Sequence, residues 1–383
     1  MEFVGMYDAI VAGLGGMGSA VLARCAQRGA RVVGLEQFER AHERGASAGK
    51  TRIIRQAYFE DPAYVPLVLR AYELWNDLER RTGEDVMRLC GLLMCGMPES
   101  EVIAGSLRSA REFGLSVDQF SANDMRARYP QLRVLEGEVG VFERAAGALF
   151  PERAIRAQLG LAEQFGAEMR FHTALQSWQS DGERVRVSLA DGSALEAKAL
   201  VLTLGPWIDG ELAALGVPLE IQRNVQLWFH PATASYVPEV FPAFLIERAA
   251  FPRLYGFPDF GDGIKAAFHE FGDITRADEL NREIDFARDV APVAAALESW
   301  MPGAAASYRE GKACMYALTP DRNFVVDRHP QYDNVVLCGG FSGHGFKFAS
   351  VIGEAGADLA LARTTNLDID FLSLRRFRSK EVR

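Results

Sequence analysis

Tyr7-Asp8-Ala9-Ile10-Val11-Ala12-Gly13-Leu14-Gly15-Gly16-Met17-Gly18, continued to Glu36, is the stretch whose reading decides the fold. Ala9 to Ala12 is a short apolar run and reads as a buried parallel strand. It ends in Gly13-x-Gly15-x-x-Gly18. Ser19 to Arg28 reads as a helix, with Ala20, Val21, Ala23 and Cys25 facing inward. Arg31 to Leu35 reads as a second strand that ends at Glu36. A bare glycine triplet of this kind is a weak signal, but between a strand and a helix each part has a physical job. Gly13 permits the tight turn, Gly15 lets the backbone approach a pyrophosphate, and Gly18 lets the helix pack on the strand. The helix N-terminus offers N–H groups and the positive end of its dipole to that pyrophosphate. Glu36 can accept hydrogen bonds from a ribose 2′-hydroxyl and would repel a 2′-phosphate, which disfavours an NADP-type ligand.

The rest of the chain bounds this reading. Its 383 residues favour two or three domains. A hydrophobic share of 49% with 24% charged residues is ordinary for a globular protein. The net charge of -9 argues against a nucleic-acid partner. No apolar run approaches the roughly 18 to 20 residues of a membrane span. Met1 to Gly5 lack the charged and apolar regions of a secretory signal, and Lys380 to Arg383 are not a peroxisomal tripeptide. Five cysteines, Cys25, Cys90, Cys95, Cys314 and Cys338, show no CxxC spacing and suit free thiols in a reducing cytoplasm. No metal-ligand pattern is evident. A cytoplasmic location and no membrane partner are expected.

Taken in order, a polar loop from Arg40 to Lys50 leads into Thr51-Arg52-Ile53-Ile54-Arg55, whose two arginines would share a face on a helix or turn. Pro62 to Arg80 is an amphipathic helix followed by Gly83. Met87 to Met94 reads as a strand broken at Gly91, Pro98 to Phe113 as a helix, and Ser121 as the N-cap of a helix from Ala122 to Tyr129. Gly137 to Phe142 is a strand, Gly147 to Pro151 a turn, and Pro151 opens a helix to Phe165. Strands follow at Ala167 to Phe171, Val185 to Leu189, Ala194 to Leu195 and Ala199 to Leu204, the middle pair flanking an Asp191-Gly192 hairpin turn. From Leu219 the strands come in succession without helices: Leu219 to His230, Phe244 to Glu247, Arg253 to Phe257 and Gly263 to Phe268, with a turn at Pro252. That succession points to a mixed or antiparallel sheet. A helix from Asp289 to Met301 and strands at Asn323 to Asp327 and Asn334 to Gly339 precede a helix from Phe348 to Ala362. The expected class is α/β: a Rossmann-like nucleotide-binding domain interleaved with a second domain on a mixed or antiparallel sheet.

A second glycine cluster, Gly339 to Gly345, again stands between a strand and a helix. Two such sites at opposite ends of the chain suggest one large cofactor pinned at both ends. Here the residues carry a family resemblance. The Gly13–Gly18 unit, Thr51-Arg52-Ile53-Ile54-Arg55 with Tyr58, Lys312-Ala313-Cys314-Met315-Tyr316, and Phe341-Ser342-Gly343-His344-Gly345-Phe346-Lys347-Phe348 together span nearly the whole chain. In these the chain resembles the monomeric sarcosine oxidase and N-methyltryptophan oxidase family, flavoenzymes of the larger D-amino-acid-oxidase group. The resemblance implies FAD, a secondary or N-methyl amino acid as substrate, oxygen as acceptor, hydrogen peroxide as product, and a monomer. It implies an FAD-binding domain over 1–86, 145–217 and 317–383, and a substrate domain over 87–144 and 218–316.

By the same resemblance Cys314 is bonded to the flavin 8α-methyl group, a step that a thiolate can perform. Gly13, Gly15, Gly18, Glu36, Gly343, Gly345 and Lys347 would hold the cofactor. Arg55 and Lys347 correspond to the pair that binds the substrate carboxylate, where a guanidinium fork and an ammonium suit a planar anion. Arg52 corresponds to the arginine above the flavin ring, with Thr51 its neighbour, and Lys265 to the lysine that helps oxygen react. Tyr255, His269, Tyr316 and His344 would line the substrate cavity. Where sarcosine oxidases carry histidines and an acid before the Thr-Arg pair, this chain has Ser47-Ala48-Gly49-Lys50. Leu227-Trp228-Phe229-His230 and the stretch Glu247 to Leu254 also depart. The substituents of the substrate stay open: a cyclic imino acid of the proline or pipecolate type and a fructosyl amino acid are alternatives. A same-fold dehydrogenase passing electrons to a partner, and a flavin-binding protein without catalysis, also remain. The cationic set Arg52, Arg55, Lys265 and Lys347 argues against the last.

Overall fold

The computed structural model describes residues 6–269 and 271–378. Met1 to Gly5 and Lys380 to Arg383, read above for targeting signals, lie outside the described residues. An eight-stranded sheet is built around the parallel strand Tyr7–Ala12, which lies between Val32–Leu35 and Ala194–Leu202. Glu168–Arg170 extends one side, and Val335–Gly339 pairs with the C-terminal half of Ala194–Leu202. Side chains alternate across it as the two-residue period demands. Ala9 and Val11 enter a core shared with the helices Gly16–Gln27, Pro151–Gln164 and Ala349–Ala362. Ile10 and Ala12 enter the opposite core with Leu200 and Leu202. Val65–Thr82 lays Leu67, Val68, Ala71, Leu74, Trp75 and Leu78 on the helical layer. Each large apolar side chain so buried contributes about 1.5–3 kcal/mol. Gly83 closes that helix at φ 70°.

The second sheet has nine strands, and its neighbours are antiparallel except Leu92–Gly96 beside Ala243–Arg248. The long strands Glu220–His230 and Ser307–Leu318 pair along their length. Register decides what this sheet presents. Trp228 lies opposite Lys265, Tyr255 opposite Ala267, Asn224 opposite Cys314, and Gln222 opposite Tyr316. Lys265, Tyr255, Cys314 and Tyr316 therefore share one face. Leu227, Phe229, Ile264, Ala266 and Phe268 fill the core on the other, under the helix Ala291–Trp300. The expected mixed and largely antiparallel sheet is present.

A third, three-stranded sheet corrects two readings. Arg52–Ile54 is a strand and not a helix or turn, and Gly147–Leu149, read as a turn, is its antiparallel partner. The β-branched Ile53 and Ile54 favour the extended form once a partner is available. The short partner of Gly, Ala and Leu carries no strand signal of its own. Ala194–Leu202 is one continuous strand where two were expected, because Glu196 and Lys198 on its exposed face break the apolar run. Leu175–Ser180, mostly polar, was not expected at all. Pro252 lies inside Phe251–Phe257, and the turn falls at Ala249-Ala250. A proline near the start of a strand is tolerated there.

The first helix begins at Gly16, earlier than the expected Ser19, so Gly18 lies in its first turn. A Cβ on Gly18 would stand 1.7 Å from the Gly13 carbonyl oxygen and 2.5 Å from Thr203 Oγ1. Gly18→Ala is therefore expected to cost about 1–3 kcal/mol by overpacking. It would lower the thermal unfolding midpoint, and an unchanged midpoint would contradict this close approach.

Candidate active site

A cavity of about 390 Å³ runs from the Gly13–Gly16 turn to Arg55 and Lys347. At the first end Gly13 adopts φ 89°, and a Cβ there would meet the Thr203 carbonyl oxygen at 2.4 Å. Gly15 is different: its nearest neighbour would be Ser47 Oγ at 3.9 Å, so its backbone faces open space. No side chain of the N-cap residue closes the helix start; Gly16 N–H reaches Ser47 Oγ at 3.2 Å. Glu36 is buried and lines this end. Its carboxylate accepts from Leu14 N–H (2.8 Å) and Phe38 N–H (3.0 Å) and faces His42 Nε2 at 3.3 Å. Burial alone would raise its pKa; His42 and the two amides outweigh that and hold the group below its usual value. His42 went unnoticed in the sequence, because one histidine in a polar loop carries no spacing signal.

The other end gathers charge. Arg55 is buried, with its guanidinium 4.3 Å from the Tyr58 ring centre and 4.4 Å from that of Phe59. It donates to the Ala57 carbonyl at 3.0 Å and to Glu60 Oε1 at 2.6 Å. Burial would push the Glu60 carboxyl up, but Arg55, then His344 and Lys347, bring it down to about 2. Glu60 lines the cavity and was missed in the sequence, where an acid ahead of a helix reads as solvated. Lys347 Nζ donates to the His344 carbonyl at 2.8 Å and lies 5.2 Å from the Tyr58 ring centre. Burial, with the positive charge of Arg55 nearby, lowers its pKa to about 7.

His344 and His269 are both kept neutral by burial, which lowers their pKa values to about 4 and about 3. His344 Nε2 faces the Arg322 carbonyl at 3.1 Å, an acceptor only, so Nε2 carries the hydrogen. Nδ1 is then left to accept from the Tyr58 hydroxyl. His269 Nδ1 lies 3.4 Å from the Tyr316 hydroxyl, and Tyr255 packs edge-on against the same imidazole. Gly343, at φ 78°, admits Tyr316: a Cβ there would be 2.3 Å from its ring. Gly345 likewise meets Phe341.

Arg52 lines the cavity and fans onto the loop before it, donating to the carbonyls of Ala46, Ala48 and Thr51 and to Gln226 Oε1. Lys265 is 1% exposed and donates to the carbonyls of Gly49 (2.6 Å) and Thr51 (2.7 Å). Burial, then the charge of Arg52, drives its pKa well down. Thr51, Lys265 and Cys314 are not in the cavity wall; they are buried next to residues that are. Thr51 Oγ1 has no hydrogen-bond partner among the described residues. Cys314 is a free, buried thiol on the face it shares with Lys265 and Tyr316. The departing Trp228 and Lys50 also meet here: Lys50 Nζ and Lys265 Nζ lie 5.1 and 5.3 Å from the Trp228 ring centre. Among the described residues no cluster of metal-ligating side chains is present, and no helix is long and apolar enough to cross a membrane.

The family of FAD dependent oxidoreductases matches residues 8–359. A monomeric sarcosine oxidase of Streptomyces avermitilis is 42% identical over 376 residues, covering 97% of each chain. One of Bacillus sp. (strain B-0618) is 38% identical, covering 98% of this chain and 97% of its own. An N-methyl-L-tryptophan oxidase of Escherichia coli O157:H7 is 34% identical over 97% of this chain and 99% of its own. Among solved structures, NikD, an unusual amino acid oxidase essential for nikkomycin biosynthesis, superposes with a TM-score of 0.84 at 23% identity, covering 96% and 97%. L-proline dehydrogenase from P. horikoshii superposes at 0.85 and 20%, covering 99% of both chains.

The depressed pKa of Lys347 has a measurable sign. Affinity for a small carboxylate, followed by calorimetric titration, is expected to fall as pH rises through about 7, where the ammonium is lost. Lys347→Met should bind more weakly at low pH and lose that step. Above about 7 the unfolded chain keeps a proton that folded Lys347 has released, so this group's contribution to stability rises with pH up to the ordinary lysine value.

Proposed function

We propose, for a chain that belongs to the FAD dependent oxidoreductase family, that it oxidises N-methyl or other secondary amino acids in the manner of a sarcosine oxidase. The protein is an FAD-dependent amine oxidoreductase. The observation that carries the substrate reading is the pairing of Arg55 with Lys347 at one end of a cavity whose other end is the Gly13–Glu36 turn. The residues suit FAD: the open face of Gly15 accommodates a pyrophosphate, and the buried carboxylate of Glu36 lines the same end of the cavity.

FAD, when bound, supplies the acceptor for a hydride or its equivalent from the carbon next to nitrogen and delivers the electrons to oxygen, giving hydrogen peroxide. The imine product hydrolyses in water. In this reading Gly13, Gly15, Gly18 and Glu36 hold the ADP half, while Gly343, Gly345 and Lys347 close on the other half. Cys314 is the covalent anchor. Arg55 and Lys347 take the substrate carboxylate. Tyr255, His269, Tyr316 and His344 shape the space beside it, and the neutral imidazoles add no charge that would compete for the anion. Arg52, and Lys265 in its protonated form, supply positive charge where oxygen is reduced, and the Thr51 carbonyl accepts from both. The fold is shared by oxidases and by a proline dehydrogenase and does not separate them; the buried Lys265 favours the oxidase. The chain is read as a cytoplasmic monomer, with residues 1–86, 145–217 and 317–383 forming the FAD-binding domain and 87–144 and 218–316 the substrate domain.

A peroxide assay over sarcosine, N-methyltryptophan, proline, pipecolate and fructosyl amino acids tests the reading. Turnover of an N-methyl or secondary amino acid is expected, and a flavin-free protein or silence across the panel refutes it. Lys265→Met should slow reoxidation by oxygen about 10²–10³-fold, as loss of a fixed electrostatic stabiliser does, with little effect on flavin reduction by substrate. Acid precipitation should leave the flavin on the chain, and Cys314→Ser should release it.

A further inference from the structure

Glu143 ends the strand Val139–Glu143 and is 1% exposed. Among the described residues no lysine or arginine forms an ion pair with it. An isolated carboxylate in such a place is costly unless its oxygens are used. Both are: Oε1 accepts from Gln56 N–H at 2.6 Å and Oε2 from Ala57 N–H at 3.0 Å. Those two amides follow directly on Arg55. The next carbonyl, that of Ala57, accepts from Arg55 Nη1 at 3.0 Å. The guanidinium thus folds back onto a turn whose amides are held from below by an anion. Burial raises the Glu143 pKa, and the positive charge of Arg55 opposes that rise.

We propose that Glu143 is a positioning residue for carboxylate recognition: it fixes the Gln56-Ala57 turn, and through the Ala57 carbonyl it fixes the direction of the Arg55 guanidinium. The proposal rests on the reading of Arg55 as the carboxylate-binding group. Glu143 does not line the cavity, so its effect is on recognition of the anion through Arg55. Glu143→Gln leaves one amide facing an NH₂ group and removes the charge. Glu143→Asp keeps the charge but withdraws it by one methylene.

The test is calorimetric titration of the holoenzyme with benzoate and with its uncharged isostere benzamide, beside thermal unfolding. In Glu143→Gln the benzoate-to-benzamide affinity ratio is expected to fall about tenfold, the scale of a lost charge-assisted hydrogen bond, while benzamide affinity stays within about twofold of the parent. Glu143→Asp should fold and give an intermediate ratio. Arg55→Ala is measured alongside. If Arg55→Ala keeps the parent ratio, the carboxylate reading of Arg55 falls, and the proposal with it. If Arg55→Ala loses the preference while both Glu143 variants keep it, the positioning role alone is overturned, even if their unfolding midpoints drop.

Discussion

Positive charge must be held inside an apolar cavity wall without water to solvate it, and that constraint shapes this structure. Four cations meet it in different ways. Arg52 and Lys265 are satisfied by backbone carbonyls of one loop, which leaves their charge uncancelled. Arg55 has an internal carboxylate partner, Glu60. Lys347 donates to a carbonyl and lies over two aromatic rings, and burial with the nearby charge of Arg55 lowers its proton affinity. Arg52 and Arg55 occupy the cavity wall and Lys265 a separate zone, buried behind it. That separation follows from architecture: Lys265 comes from the second sheet, Arg52 and Arg55 from either end of a short third sheet, and Lys347 from the glycine-rich approach to the last helix.

The sequence was most legible where backbone demands were strict. Gly13, Gly15 and Gly18 announce the turn because any Cβ at the first and third would strike the backbone. Long strands such as Glu220–His230 announce themselves as extended, aromatic-rich runs that follow one another without helices. It was least legible where tertiary pairing decides. Gly147–Leu149 has no intrinsic strand character and is extended only because Arg52–Ile54 and Met87–Arg88 flank it. Glu60, Glu143 and His42 were invisible for a related reason: their work is done on groups that the chain brings near by folding, and a lone acid or histidine carries no spacing to betray it. The family resemblance supplied the cationic set, and the structure supplies the groups that hold those cations in place.

The loop before Arg52 and the strand facing it fit each other closely. Gly49 adopts φ 132°, and a Cβ on it would collide with Gln226 at 2.1 Å. Gln226 in turn bonds Arg52 and the Ala48 carbonyl. A small residue in the loop and a long amide on the facing strand therefore fit each other.

The loop from Ala46 to Arg52 also carries a consequence for how the molecule is made. Its anchors lie far along the chain: Gly49 is 103 positions from Glu152 and 216 from Lys265. Contacts of such separation reward the chain only after the intervening segments have been ordered. The first sheet makes a similar demand, since Tyr7–Ala12 pairs with a strand 190 positions on, and the loop needs Lys265 of the second sheet as well. During biosynthesis the Arg52 segment emerges early and waits for partners that emerge more than half the chain later. The glycine turn and the charged wall therefore both wait for segments that emerge about half the chain later, Thr203 for the one and Lys265 for the other.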